Sequence, residues 1–402
     1  MTRQTLLTFV LLGVAPVLLG MDNCGGRGKV RFTAILPLTG AGQVYGESIQ
    51  RGVELAFEDL SQDPQLGYTI ALEVEDSASD PQHAVGLLED AYSGSLAAIG
   101  GVTSDEALAM VEVADDAGKV LLSPSASSPK LSGISSNFFR IFPNSRDEAV
   151  AMTNFLGETL QVAELVVVQE ETAYGEGLAG ALAEVFTGQI VSTLKIASAD
   201  QAPAVAREAV ELDPKAVYLA ADGDELAAVM KALRGAGFDG EDDWILSSSA
   251  LANPRVIERA EGAAERSFLT QTVFDPTSEE EPMRSFSDDF QAKYGVLPDY
   301  YAAHGYDAMT VLVTALKEGG GTLPSDFMKG MRTINNFPGV TGNLQFRESG
   351  DVQKFVRIFY IAGGQLQDYV EWKKEREEEI RKRIEDIRRR RERLMRQQQN
   401  SS

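Results

Sequence analysis

The chain has 402 residues, 37 Lys and Arg against 60 Asp and Glu, a formal charge of −23, and 44% hydrophobic residues. That length and apolar content suit two domains with real cores. The acidity argues against nucleic acid as a partner of the folded part, because phosphates would be repelled.

The first 24 residues read as an export signal. Arg3 supplies a sparse positive start, and Leu6 to Leu19 is an apolar stretch too short for a membrane span. Cys24 is the only cysteine, so an internal disulfide is excluded. Its position just past the apolar stretch suggests a lipoprotein acceptor whose acyl chains would tether the protein to a membrane. The alternative is a plain secretory signal with an incidental cysteine, because Met21-Asp22-Asn23 poorly matches the small residues of a lipoprotein cleavage site. Either way the expected location is periplasmic, or membrane-anchored on the extracytoplasmic face.

From Lys29 apolar runs alternate with amphipathic stretches. VRFTAILPL predicts a strand, and Glu47 to Leu60 a helix with Val53, Leu55, Ala56, Phe57 and Leu60 apolar. YTIALEVED, LAAIGG and KVLLSPS follow as strands, separated by helices over Pro81–Tyr92 and Asp105–Ala117. A second run holds ELVVVQE, QIVSTLKI, AVYLAA and DWILSSS, with helices from Gly177, around Val205 and from Glu225. Such alternation predicts parallel sheets flanked by helices, with sites at the carboxyl ends of the strands. FPNSRDE near Asn144 and the segment from Phe274 through TSEEEP interrupt it. Helical patterns then run from Met283 to Gly319, and VTGNLQF and FVRIFYI close the folded part.

From Glu371 to Arg396 nearly every residue is charged or a good helix former, and the segment from Glu371 onward carries +4, leaving −27 on the rest. Ile380, Ile384, Ile387 and Leu394 form a short heptad-like stripe broken by Arg391. A solvated single helix with i,i+4 ion pairs accounts for it. A coiled coil with another chain, or an electrostatic contact with an anionic envelope surface, is the alternative.

The loop LPLTGAGQVYGES places Gly40, Gly42 and Gly46 between a strand and a helix. It is not a dinucleotide fingerprint: the spacing is G-x-G-x-x-x-G, and Asp76, the acid ending the next strand, stands well beyond the expected 20 residues. It also lacks the Gly-Lys-Ser/Thr of a phosphate loop. The glycines instead let the backbone turn sharply and approach a ligand. His83 and His304 are the only histidines and stand in no metal-ligand spacing, and there is no G-x-S-x-G elbow. Neither a cofactor nor a metal is expected.

Several stretches taken together resemble the Leu/Ile/Val-type periplasmic solute-binding proteins of branched-chain amino acid ABC transporters. They are LPLTGAGQVYGESIQRGVELAFEDL, LEVEDSASDPQHAV, IGGVTSDEALAM, LLSPSASSPKLS, TAYGEGLAGAL, VYLAADGDELAAVMKALRGAG, FQAKYGVLPDYYAAHGYDA and VTGNLQFRESGD. They run in the family's order from Lys29 to about Asp368; the basic tail is foreign to it. The resemblance implies the type I periplasmic binding protein fold: two doubly wound parallel-sheet α/β lobes joined by three hinge crossings, near Asn144, Phe274 and Phe346. Residues 29–144 with 275–346 would form the first lobe, 145–274 with 347–368 the second, and 371–402 a charged helical tail.

The resemblance also implies a site. Ser104, Ser125 and Ser127 match positions that hold a ligand's α-carboxylate, where helix-start N–H donors suit an anion. Thr103 with Glu106 also reads as a capping box there. Tyr45 and Tyr301 match positions against the ligand side chain, and Tyr174 one that meets the ligand on closure. On the ammonium side the sequence departs. The amino-acid binders have a tyrosine, then a glutamate, where this chain has Asp222 and Ser249. Asp222 could pair with an ammonium, or form a turn with Gly223 before a helix capped by Asp224. The implied role is non-catalytic capture of a small amino-acid-like or carboxylate ligand and its delivery to an ABC permease. A ligand sensor signalling to a membrane partner, an exported enzyme on the same scaffold, and an amine-free solute are the alternatives.

Overall fold

Runs such as VLLS and VYLA have no polar face, so their strands must be covered on both sides. In the computed structural model, which describes residues 28–240 and 242–399, they form interior strands of two sheets. The leader, Cys24 and the last three residues lie outside the described residues. The first run comprises β1 (Gly28–Leu36), α1 (Gln43–Ser61), β2 (Tyr68–Asp76), α2 (Pro81–Tyr92), β3 (Ala97–Ile99), α3 (Ser104–Ala117), β4 (Val120–Ser123) and β5 (Phe138–Arg140). Its sheet is parallel throughout, in the order β2-β1-β3-β4-β5.

The second run comprises α4 (Ser145–Phe155), β6 (Glu164–Glu170), α5 (Ala173–Val185), β7 (Gln189–Ile196), α6 (Ala202–Glu211), β8 (Ala216–Ala220), α7 (Gly223–Gly235), β9 (Trp244–Ser247), α8 (Pro254–Ala260) and β10 (Phe268–Thr272). The chain then returns to the first sheet through α9 (Met283–Tyr294), α10 (Tyr300–Gly319) and α11 (Pro324–Thr333), and makes a small hairpin of β11 (Phe337–Gly339) and β12 (Gly342–Leu344). β13 (Val356–Ala362) and β14 (Gln365–Asp368) complete the second sheet, ordered β14-β13-β10-β9-β8-β6-β7, before α12 (Tyr369–Gln399). β13 runs antiparallel to β10 and to β14. The fold is therefore two doubly wound α/β lobes and a C-terminal helix.

Two glycine contacts fix α10 against the first lobe. A Cβ on Gly52 would lie 1.8 Å from the Ala302 carbonyl oxygen, and one on Gly305 2.2 Å from that of Ile49. Only glycines let α1 and α10 cross so closely. That seat matters because Tyr300 and His304 of α10 touch all three crossings. Phe142 of the first packs on both rings, at 5.4 and 4.8 Å. Thr272, ending β10 at the second, shares a 2.9 Å hydrogen bond with the Tyr300 hydroxyl. Lys354 of the third donates to His304 Nε2 at 3.1 Å, while His304 Nδ1 donates to the Tyr300 carbonyl at 2.8 Å.

The third crossing lies further along the chain than the expected Phe346. Residues 347–351 stay beside β5, where the Arg140 amide donates to the Gly350 carbonyl. The cause is a buried ion pair. Arg140 Nε donates to Asp351 Oδ1 at 2.6 Å, and the rest of the guanidinium donates to the carbonyl of Ser128 and the hydroxyl of Ser132. The chain leaves for the second sheet only after Asp351. Asp351→Ala would strand the buried guanidinium, so urea unfolding followed by circular dichroism should show about 3–5 kcal/mol of lost stability. A loss below about 1 kcal/mol would contradict this account.

Candidate functional site

At the carboxyl ends of both sheets, loops from the two lobes meet around a small cavity of about 40 Å³. Tyr45, Ser104, Ser125, Ser127, Tyr174, Asp222, Ser249 and Tyr301 all line it, joined by Val102, Thr103, Phe142 and Ala250. The residues singled out from the sequence are thus brought together. A second cavity of about 510 Å³ is bordered by Ile257, Phe274, Phe359 and Leu366 and shares no lining residue with the first.

The first-lobe wall is built of hydroxyls. Thr103 caps α3, accepting from the Glu106 amide while Glu106 accepts from the Thr103 amide, so the capping box is real. Ser104, the first residue of the helix, accepts from the Ser128 amide at 3.2 Å. Ser125 donates to the Val102 carbonyl at 2.6 Å, and Ser127 Oγ accepts from the Ser145 hydroxyl at 3.0 Å. The glycine loop lies behind Tyr45. Gly40 turns with φ +83°, and Asp76 accepts from the amides of Leu38, Thr39 and Ala78, so this acid clamps the loop.

Tyrosines reach across the cleft. Tyr45 Oη accepts from the Gly223 amide at 2.8 Å and donates to the Ala250 carbonyl at 3.3 Å. Tyr301 donates to the Ser249 carbonyl at 3.0 Å, and its ring lies 4.7 Å from that of Tyr45. Tyr174 bonds to Ser248 within the second lobe. Asp105 of α3 accepts from the Ala173 amide at the start of α5, at 3.1 Å. In AYGEG, a Cβ on Gly177 would lie 2.8 Å from the Ser128 hydroxyl, so glycine permits this approach of the lobes. The cleft is closed.

The second-lobe wall is acidic. Asp222 occupies the cap position of α7 but makes no side-chain cap bond, and Asp224, expected to cap, sits inside the first turn and pairs with Arg259. The reason is that α7 starts at Gly223, two residues before the predicted start. Glu170 accepts from the Asp222 amide at 3.0 Å. Burial pushes both carboxyls well up from their ordinary range, Glu225 and Asp105 adding to the effect on Asp222, and Asp222 itself to that on Glu170. Among the described residues no lysine or arginine lines the cavity.

Sequence reasoning missed one further acid. Glu148, in the first turn of α4, is fully buried behind Ser249: Oε1 accepts from the Ser249 amide and the Thr270 hydroxyl, both at 3.0 Å. Its Oε2 has no partner among the described residues, and burial pushes the carboxyl up to about 7. The signal was an acid in the helix start following FPN, but nothing in the sequence tied it to Ser249.

Residues 29–365 match the family model described as periplasmic binding protein. The Leu/Ile/Val-binding protein homolog 1 of Brucella melitensis is 25% identical over 335 residues, covering 79% of this chain and 85% of that protein. A leucine binding protein, LivK, from Thermotoga maritima superposes with a TM-score of 0.78 at 26% identity, over 84% of this chain and 97% of that one. A solute binding protein from R. palustris, solved in complex with benzoate, gives a TM-score of 0.77 at 22% identity, over 85% and 96%.

The raised carboxyls give the closed cleft a pH dependence with a definite sign. A carboxyl whose folded pKa is raised contributes stability at low pH that is lost as pH rises through the folded value. For Glu148 that loss falls between about pH 4.5 and 7. Glu148→Gln should therefore melt close to the wild type at pH 5 and a few degrees above it at pH 8, at about 2–4 °C per kcal/mol. A difference in melting temperature that does not change with pH would refute the assignment.

Proposed function

The chain belongs to the periplasmic binding protein family, and from that premise we propose that it is the extracytoplasmic solute-binding component of an ABC transporter, capturing a small amino-acid-like ligand between two closing lobes. The observation that carries the reading is the polarity of the cavity. Hydroxyls and the start of α3 form one wall, and Asp222, with Glu170 behind it, forms the other. An α-amino acid matches both, its carboxylate at Ser104 and Ser127 and its ammonium at Asp222. The ammonium would supply the positive charge that the cavity lining lacks. Tyr45 and Tyr301, packed ring against ring at the cleft, would border the ligand side chain, and Tyr174 would meet it on closure.

The mechanism needs binding alone. Ligand touches both walls only in the closed form, so it shifts the open–closed equilibrium toward closure, and a membrane permease reads the closed shape. The hydroxyls of Ser104, Ser125 and Ser127 are engaged with backbone groups or with another serine, and His304 is held by Tyr300 and Lys354 away from the lining. None is paired with a base that would make it a nucleophile. We assign the same extracytoplasmic location to the whole chain, with Cys24 as its acyl anchor. Mass spectrometry of the mature N-terminus would find a diacylglyceryl group there, and a free thiol would remove the anchor.

The ligand assignment is tested by melting the protein against amino acids, short carboxylates and amides. A ligand specific to the folded state, present at 100 times its Kd, adds about 2.7 kcal/mol of stability. An α-amino acid should give such a shift. Asp222→Asn should weaken its binding by about tenfold or more, since truncating one side of a buried charge pair costs about 2–5 kcal/mol. Binding of an amine-free carboxylate should be spared. Shifts with amine-free acids alone, as the benzoate complex of the R. palustris protein would suggest, would return Asp222 to a purely structural role.

A further inference from the structure

The tail is the one long element that the solute-binding role leaves unused. Its first turn is fastened to the second lobe: the Tyr369 ring packs on Phe155 and Phe268 at 5.1 and 5.4 Å, and Trp372 on Tyr360 at 4.4 Å. Beyond Trp372 the helix runs on for ~40 Å at 1.5 Å per residue, and residues 373–391 are exposed. Ile380, Ile384 and Ile387 stand 50%, 61% and 59% exposed on it, a seam of large apolar side chains left open among the described residues.

With Ile380 and Ile387 at d and Ile384 at a, the heptad assigns every flanking position. The e positions are Lys374, Arg381 and Arg388, and the g positions are Arg376, Arg383 and Arg390. All are basic. Most acids fall on the outer face, with Glu378 and Glu385 at b, and Glu379 and Asp386 at c, while Glu377 at a and Lys373 at d end the apolar seam before Ile380. Charges at e and g choose the partner of a coiled coil. In a parallel pair of two tails Arg383 would face Arg388, and in an antiparallel pair like positions would meet, so both pairings set base against base. An a/d seam is also narrow compared with the broad apolar face of a helix that lies in a bilayer. The −27 carried by the rest of the chain would further oppose approach to anionic lipid.

We infer that the tail is one strand of a heterotypic coiled coil, and that its partner is a helix of another protein with apolar a and d positions and acidic e and g positions. Arg391, at the a position after Ile387, would set the register by meeting an acid in the partner's seam.

The test titrates the full chain with two labelled synthetic helices, each about four heptads long, with Ile at a and Leu at d. One carries Glu at e and g, and its twin carries Lys. Fluorescence anisotropy should show the Glu helix binding at least about tenfold more tightly than the Lys twin. That preference runs against the net charge of the whole chain, so it cannot come from bulk electrostatics. Ile384→Asp, on an exposed face, should abolish binding without changing the melting temperature of the lobes. The double variant Arg383→Glu/Arg388→Glu should weaken the preference or reverse it. Sedimentation should find a monomer, and vesicles of phosphatidylglycerol should not pull the chain down. Equal binding of the twins, a dimer that Ile384→Asp dissolves, or vesicle binding without a preference for the Glu helix would each overturn the proposal.

Discussion

Closing this protein encloses carboxylates at a cavity that no lysine or arginine lines among the described residues. Asp222 lies at one wall of the cavity with Glu170 behind it, and Glu148 is sealed behind Ser249. Each carboxyl is harmless in an open, wet cleft. Once the tyrosines meet the opposite loops, water that screened these charges is displaced, and the ionised forms become costly. Protons or a cationic group can offset that cost. In the solute-binding role proposed above, the chemistry of the cleft and the balance between open and closed lobes are therefore one problem.

The hinge is where that equilibrium becomes mechanical. Tyr300 and His304 contact every crossing, and Tyr301 between them faces the cavity. Side chains on one face of a helix follow at i+4, so the Tyr300 and His304 rings meet edge-on at 4.4 Å, and the neighbouring Tyr301 ring meets Tyr300 edge-on at 5.7 Å. Any displacement of Tyr301 by a ligand is felt at the neighbouring turn that holds the crossings. Burial holds His304 well below its ordinary range, and Lys354 is pushed down to about 7 by the same burial, with Asp307 opposing. The neutral imidazole is what allows Lys354 to donate to it. The crossing segment is thus fastened by a hydrogen bond in place of a repulsive pair of cations.

Much of the fold was legible because its signals are local. Strand and helix alternation shows in VLLS and VYLA, and the site residues follow strand ends, where a parallel α/β sheet must open. What escaped depends on contacts distant in sequence. β5 is FFR and β10 is FLTQT, short and partly polar, and their buried Arg140 and Thr270 make sense only beside Asp351 and Glu148. The third crossing was misjudged by a few residues for the same reason. Nothing in RESGD announces that its aspartate is needed by an arginine 211 positions earlier. Cap chemistry failed more subtly at Asp222-Gly223-Asp224. Either aspartate could cap a helix, but only the fold shows that the helix begins at Gly223, with φ +50°, beside Tyr45.

Ser249 shows how an acid can stand behind a site on another element. A glutamate at that position would have carried its charge on the loop after β9. Here the loop offers a serine, and the carboxylate behind it comes from α4, the helix that follows the first crossing. Glu148 binds the Ser249 amide and the Thr270 hydroxyl together, so one side chain ties the start of α4, the loop after β9 and the strand β10 into a rigid corner. A charge on that carboxylate is therefore carried by an element adjoining the hinge as well as by the cleft. A loop-borne glutamate would have served the cleft alone. Moving the acid to α4 places the electrostatics of the cavity and the geometry of the crossing on the same helix.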